Sequence, residues 1–90
     1  MTKDPYENLR NELNRTHDWP LVYMFKFIIP SDIEKLAFVQ SKFSKVSVIT
    51  TKESTNGKYT SITVRETMMS ADEIIGKYKE MENVEGLIAL

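Results

Sequence analysis

Cysteine is absent from the 90-residue chain, and glycine and proline occur only three times each. Without cysteine the chain can form neither a disulfide framework nor a thiolate metal site, which fits a reducing compartment, so we expect a cytoplasmic protein. The chain also lacks a long apolar run, and its N-terminus is polar. We therefore expect neither a transmembrane helix nor a signal peptide, and no membrane partner.

Neither sign of charge dominates, because 13 acidic and 12 basic side chains leave a formal net charge of -1. This balance provides no bulk attraction to nucleic acid or to an anionic membrane. The single histidine, His17, stands beside Asp18 without a nucleophile or further metal-ligating residues nearby. We therefore predict that the protein is not an enzyme and that it has no catalytic site, metal site or cofactor.

The strongest local signal is a β-hairpin centred on Asn56-Gly57. Both residues tolerate positive φ, which favours a two-residue type I′ turn with Thr55 opposite Lys58. Counting outward from this turn fixes the register of the two strands. The predicted core pairs are Thr51 with Ile62 and Ile49 with Val64, and the pairs on the other face are Val48 with Arg65, Thr50 with Thr63, Lys52 with Ser61 and Ser54 with Tyr59.

The most hydrophobic segment, Leu21 to Ile29, follows Trp19-Pro20 and stops at Pro30. Its aromatic and β-branched residues predict a central strand, which Pro30 ends because proline cannot donate to the ladder. Alternation places its bulkier side chains on the core face. That predicted core set is Tyr23, Phe25, Phe27 and Ile29.

Two helices follow strands and begin with a capping-box pattern, Ser31 with Glu34 and Ser70 with Glu73. In this pattern the Ser hydroxyl and the Glu carboxylate each accept from the other's backbone N–H. The predicted buried stripes are Ile33, Leu36, Val39 and Phe43 for the first helix, and Ala71, Ile74, Ile75, Tyr78 and Met81 for the second. Residues Val84 to Leu90 predict a last strand.

A further short helix is predicted at the N-terminus, where Asp4 precedes Pro5. Its apolar stripe consists of Tyr6, Leu9 and Leu13. We accordingly divide the chain into a helical extension with a loop, residues 1–18, and one domain, residues 19–90.

The element order of that domain, βαββαβ, predicts an α+β, ferredoxin-like fold with a four-stranded antiparallel sheet. Right-handed crossovers place the first and third strands in the centre and both helices on one face. The other face of the sheet is then open unless the N-terminal helix or a partner covers it.

The chain resembles the YbeD-like family of small bacterial proteins of unknown function. The residues that carry the resemblance are Trp19-Pro20, Phe25-Lys26 and, around the hairpin, Ser54, Gly57, Tyr59 and Ser61. The resemblance extends from Trp19 to Leu90, and the Ser-x-x-Gly-x-Tyr-x-Ser spacing is its most specific part. It implies a ferredoxin-like fold similar to that of the ACT regulatory domains, without an established catalytic activity.

The open sheet face is the candidate functional surface, because soluble monomers usually cover or use such an apolar patch. Its predicted members are Val22, Met24, Lys26, Ile28, Val48, Tyr59, Ser61, Arg65 and Leu87, with Ala89 beside them. The leading hypothesis is a non-catalytic regulatory or adaptor module that uses this face, or an edge of the sheet, to bind a protein partner or to form a homodimer. Alternatively, the N-terminal helix covers this face through Tyr6, Leu9 and Leu13.

Two other functions are open within this fold. An ACT-like domain would sense a small molecule at a strand-to-helix loop, but Ile29-Pro30-Ser31 lacks the glycine such loops usually contain, so this analogy depends on the fold alone. RNA binding is less favoured, because Tyr59 is followed by Ser61 and Thr63 where further stacking rings would stand.

Overall fold

Three helices and a four-stranded antiparallel sheet make up the computed structural model, which describes residues 4–90. The predicted α+β class is confirmed. In chain order the elements are α1 Glu7–Thr16, β1 Leu21–Pro30, α2 Ile33–Ser41, β2 Val48–Glu53, β3 Tyr59–Met68, α3 Ala71–Met81 and β4 Ile88–Ala89.

The strand order across the sheet is β2-β3-β1-β4, so β1 and β3 are central and β2 and β4 lie at the edges. All neighbouring strands are antiparallel. The predicted register of the hairpin is confirmed, including the pairs Val48 with Arg65 and Ile49 with Val64.

The predicted type I′ turn is wrong, because Gly57 has a positive φ of 72° but Asn56 does not. The Gly57 N–H instead donates to the Ser54 carbonyl at 2.9 Å. The Ser54 hydroxyl accepts from the Tyr59 N–H at 3.0 Å, and the Asn56 side chain accepts from the Lys58 N–H at 3.0 Å. Side-chain hydrogen bonds therefore stabilise the loop, while the register stays as predicted.

The core lies between one face of the sheet and the helices. Phe25, Phe27 and Ile29 are fully buried there, as the alternation along β1 predicts. The Phe25 ring lies 5.2 Å from that of Phe43 and 5.6 Å from that of Tyr78. The other buried apolar residues are Leu13, Val39, Phe43, Ile62, Val64, Met68, Ala71, Ile74, Ile75, Met81 and Val84.

Two predicted core positions are exposed. Thr51 pairs with Ile62 as expected but remains solvent-exposed, like all of the edge strand β2 except the half-buried Ile49. Ile33, in the first turn of α2, is 84% exposed. The buried stripe of α2 therefore begins one turn later, at Leu36.

The caps of the helices differ in part from the predicted boxes. Asp32, not Ser31, caps α2, since its carboxylate accepts from the N–H groups of Glu34 and Lys35. The Ser31 hydroxyl is instead hydrogen-bonded to the Thr60 hydroxyl on β3, at 2.9 Å. At α3, the Ser70 hydroxyl caps the Glu73 N–H as predicted, but the Glu73 carboxylate accepts from Met69.

The last strand is much shorter than the predicted Val84 to Leu90. Val84 is buried in the core, and the chain turns at Gly86, which has a φ of 80°. Only Ile88 and Ala89 pair with β1. α1 begins at Glu7, two residues after the expected start, and the Asp4 carboxylate accepts from the Tyr6 N–H in the turn before it.

Candidate functional site

Helix α1 packs against α3 and leaves the opposite face of the sheet uncovered. The Tyr6 hydroxyl donates to the Glu82 carboxylate at the end of α3, and Arg10 pairs with Asp72 in the first turn of α3 at 2.8 Å. Leu13 is buried within the core. The alternative in which α1 covers the open face is therefore wrong.

The open face carries exposed apolar side chains from β1 and β2. Val22 is 66% exposed and Met24 47% exposed on β1, while Val48 on β2 is 60% exposed. In the sheet register Met24 lies beside Arg65, which in turn lies beside Val48. Ile28, also on this face, is half-buried.

The same face carries one cation on each of the three longer strands, namely Lys26, Lys52 and Arg65, and all three are exposed. Among residues 4–90 none of them forms an ion pair. The acidic residues of these strands occupy the alternate positions, which face the helices. Glu66 accepts from the Ser44 N–H there, and Glu53 pairs with the buried Thr60.

The predicted place of Leu87 on this face is wrong. Leu87 packs against the core, because Ile88, the next residue, pairs with Ile28 and shares its face. Ala89 pairs with Phe27 and so belongs to the core side. Ile88, which is 55% exposed, is the residue of β4 that the prediction missed. The only sequence signal that could indicate which residues of β4 face the open side is Gly86, which ends the turn before the strand.

Tyr59 and Ser61 lie at the hairpin end of the open face. Tyr59 is 50% exposed, and its N–H is held by the Ser54 hydroxyl. The Ser61 hydroxyl donates to the Lys52 carbonyl at 3.2 Å. Together with Ile28 they surround a shallow hollow of about 190 Å³. The structure thus brings eight of the nine predicted face residues to one side of the sheet.

The perturbed ionisable groups lie in the helix layer. A hydrogen bond to Glu82 raises the pKa of Tyr6 to about 12. Hydrogen bonds from the Tyr6 backbone and from Arg10 lower the pKa of Asp4. The pKa of Tyr78 is raised mainly by burial and, to a smaller extent, by its hydrogen bond to Tyr23. Each perturbation has a structural cause in the packing of the helices.

Two concave regions border the sheet elsewhere. The larger, a groove of about 900 Å³, lies where β3 extends beyond β2 and is lined by Val46, Val48, Met69 and Gly76 among others. A hollow of about 230 Å³ lies at the strand-to-helix loop, beside Ser31 and Asp32. In that loop the Asp32 carboxylate is already engaged in capping α2.

Within the described part of the chain, no three His, Asp or Glu side chains are grouped closely enough to hold a metal ion. His17 is exposed, with its Nδ1 2.8 Å from the Thr16 hydroxyl. None of the helices in residues 4–90 has the length and apolar character needed to cross a bilayer.

A family model described as "Protein of unknown function (DUF493)" matches residues 14–90. This range includes the whole sheet, α2 and α3, and the match is consistent with the YbeD-like resemblance. Neither the curated proteins nor the solved structures contain a significant match to the chain.

Proposed function

The chain belongs to the DUF493 family of proteins of unknown function. We propose that it is a non-catalytic regulatory or adaptor module. It binds a partner protein through the open sheet face defined above. The observation that supports this proposal is the position of α1, which packs on α3 and leaves Val22, Met24, Val48 and Ile88 exposed. Exposed apolar patches on soluble domains are characteristic of interaction surfaces.

The charge of the face favours a partner with acidic as well as apolar side chains. Lys26, Lys52 and Arg65 lie among the apolar residues, and the strands place no carboxylate on this side within residues 4–90. Two copies meeting through the same face would bring these cations together, and like charges in an interface are unfavourable. A heterologous acidic protein is therefore preferred to a homodimer through this face.

The finer fold assignment forms part of the proposal. We assign the domain to the ferredoxin-like class because a βαββαβ order with β1 and β3 in the centre supports it. The cytoplasmic location stays a prediction based on the absence of cysteine. ACT-like ligand sensing and RNA binding also stay predictions. RNA binding has little support, because Tyr59 is the only aromatic residue that the strands described here place on the open face.

The proposal is tested by capture of partners with the full chain and two pairs of matched variants. Met24→Glu and Arg65→Glu place negative charge on the open face. Ile33→Glu and Arg15→Glu make comparable changes, apolar to acidic and basic to acidic, at exposed positions of α2 and α1. We expect proteins captured by the wild type to be lost with the first pair and retained with the second.

The affinity of any captured protein should also fall as salt is raised, because the cations of the face are solvent-accessible. Equal capture by all four variants would show that the open face is not the binding surface. Loss with all four, accompanied by an unchanged circular dichroism spectrum, would likewise contradict a role specific to this face.

A further inference from the structure

Strand β1 has an unpaired edge beside the short strand β4. β1 contains ten residues, and all of them pair with β3. On its other side only Phe27 and Ile28 pair with β4. The edge of β1 from Leu21 to Phe25 therefore has no neighbouring strand among the described residues.

The direction of the backbone groups on this edge follows from one hydrogen bond. The Leu90 N–H donates to the Lys26 carbonyl at 2.9 Å, so the peptide groups of Lys26 point away from β3. Alternate residues of a strand aim their N–H and C=O groups at the same side. Val22 and Met24 therefore present two donors and two acceptors at the free edge, and no described residue outside the sheet hydrogen-bonds to them.

An apolar groove lies on the helix side at the end of β4, and Tyr78, which lines it, is hydrogen-bonded to Tyr23 of β1 at 3.0 Å. The groove has a volume of about 380 Å³ and separates α1 from the end of β4. A strand that continued the line of β4 along β1 would place every second side chain towards this groove. The side chains that line it are mainly apolar and include Tyr6, Leu9, Tyr78, Met81, Leu87 and Leu90.

We propose that the free edge of β1 at Val22 and Met24 accepts an extended segment of the partner protein as an added strand. The backbone of the segment pairs with Val22 and Met24, and its alternate apolar side chains enter the groove beside Leu9 and Tyr78. Strand addition combines main-chain hydrogen bonds with pockets for alternate side chains in this way. The inference rests on the proposed function and specifies the form of the partner.

The first test is binding of a phage-displayed library of random peptides, each about ten residues long, to the full chain. We expect enrichment of sequences with β-branched or aromatic residues at alternate positions. Met24→Pro removes the edge N–H without removing a donor to β3, whereas Met24→Ala keeps it. The Kd of an enriched peptide should be weakened about tenfold more by Met24→Pro than by Met24→Ala.

Amide hydrogen exchange of the wild type provides a second test that does not depend on the folding of a variant. The Val22 and Met24 amides should exchange fast in the free protein and become protected when an enriched peptide binds. Tyr23 and Phe25, whose amides face β3, should be protected throughout.

Several results would overturn the inference. They are a failure to enrich peptides, slow exchange of Met24 in the free protein, and equal effects of Met24→Pro and Met24→Ala. A dimer in light scattering with the same edge protected would identify a second copy as the occupant instead. Arg65→Glu separates the two proposals, since peptide binding that persists in this variant supports the edge while contradicting the charged face.

Discussion

Two glycines in the chain have opposite roles. Gly76 lies within α3, and a Cβ built on it meets no atom within 4 Å. Alanine there should raise the free energy of unfolding by about 0.5–1 kcal/mol, because glycine is the less favourable residue inside a helix. Gly86 has a φ of 80°, and its Cβ would lie 2.8 Å from Cγ of Pro30. Gly86→Ala should lower the same free energy by about 1–3 kcal/mol.

Denaturant unfolding of the wild type and both alanine variants measures the two effects. Because the same chemical change is made at both positions, each variant is the control for the other. A destabilised Gly76→Ala protein would show that the chain itself needs a glycine at this point of α3. A neutral Gly86→Ala protein would contradict the tight turn before β4.

The start of α2 shows why a single-residue prediction can fail when the element is predicted correctly. Ser31 and Asp32 are both favourable N-cap residues, and the spacing to Glu34 favours Ser31. The structure selects Asp32 because the Ser31 hydroxyl is hydrogen-bonded to Thr60 on β3. That partner is distant in sequence, so no local pattern contains the information.

At the scale of the elements, the contact between α1 and α3 makes stability depend on pH. The pKa of Tyr6 is raised from 10.0 to about 12 in the folded protein by its hydrogen bond to Glu82. A raised pKa means that folding favours the protonated hydroxyl. Its contribution is therefore fully present below pH 10 and is lost as the pH rises through 12.

Tyr6→Phe removes this contribution without removing the ring. We expect the difference in free energy of unfolding between the wild type and Tyr6→Phe to be constant below pH 10 and to shrink between pH 10 and 12. Chemical denaturation at a series of pH values measures this difference, in which the other titrating groups largely cancel. A difference that stays constant up to pH 12 would contradict the contact with Glu82.

The strands differ in how far the sequence determines them. Phe25 and Phe27 alternate with Met24 and Lys26, so the burial of β1 follows from its sequence. The register of β2 on β3 follows from counting outward from the turn, even though the turn type was wrong. β4 has no such internal reference. Which of its residues face the open side depends on the turn at Gly86. A shift of one residue would place Leu87, instead of Ile88, on the open face.

At the scale of the whole molecule, the near-neutral net charge conceals an uneven distribution. The open face presents Lys26, Lys52 and Arg65, whereas the strand carboxylates of Glu53 and Glu66 belong to the helix side. Composition alone predicted no bulk attraction to nucleic acid or to an anionic membrane, since it reports only the sum of charges. The candidate site could be predicted as a face from strand alternation, but its openness depends on where α1 packs.

Helix α1 is the element whose position the sequence could not determine. The stripe of Tyr6, Leu9 and Leu13 predicts that the helix packs on the domain, and it fits either side of the sheet. The structure places Leu13 in the core and joins α1 to α3 through Arg10 and Asp72. The N-terminal helix is therefore coupled to the helix layer, and we expect it to unfold together with the sheet.

Leu13→Ala tests this coupling. Because Leu13 is only 5% exposed within the core, its truncation should lower the free energy of unfolding of the entire chain by about 2–4 kcal/mol. Leu90→Ala is the matched control, since Leu90 is 69% exposed and its truncation should change stability by less than about 0.5 kcal/mol. Trp19 fluorescence reports the region after α1, and circular dichroism reports the whole chain. The two transitions should coincide and shift together in Leu13→Ala, whereas separate transitions would show that α1 unfolds independently and leaves the sheet intact.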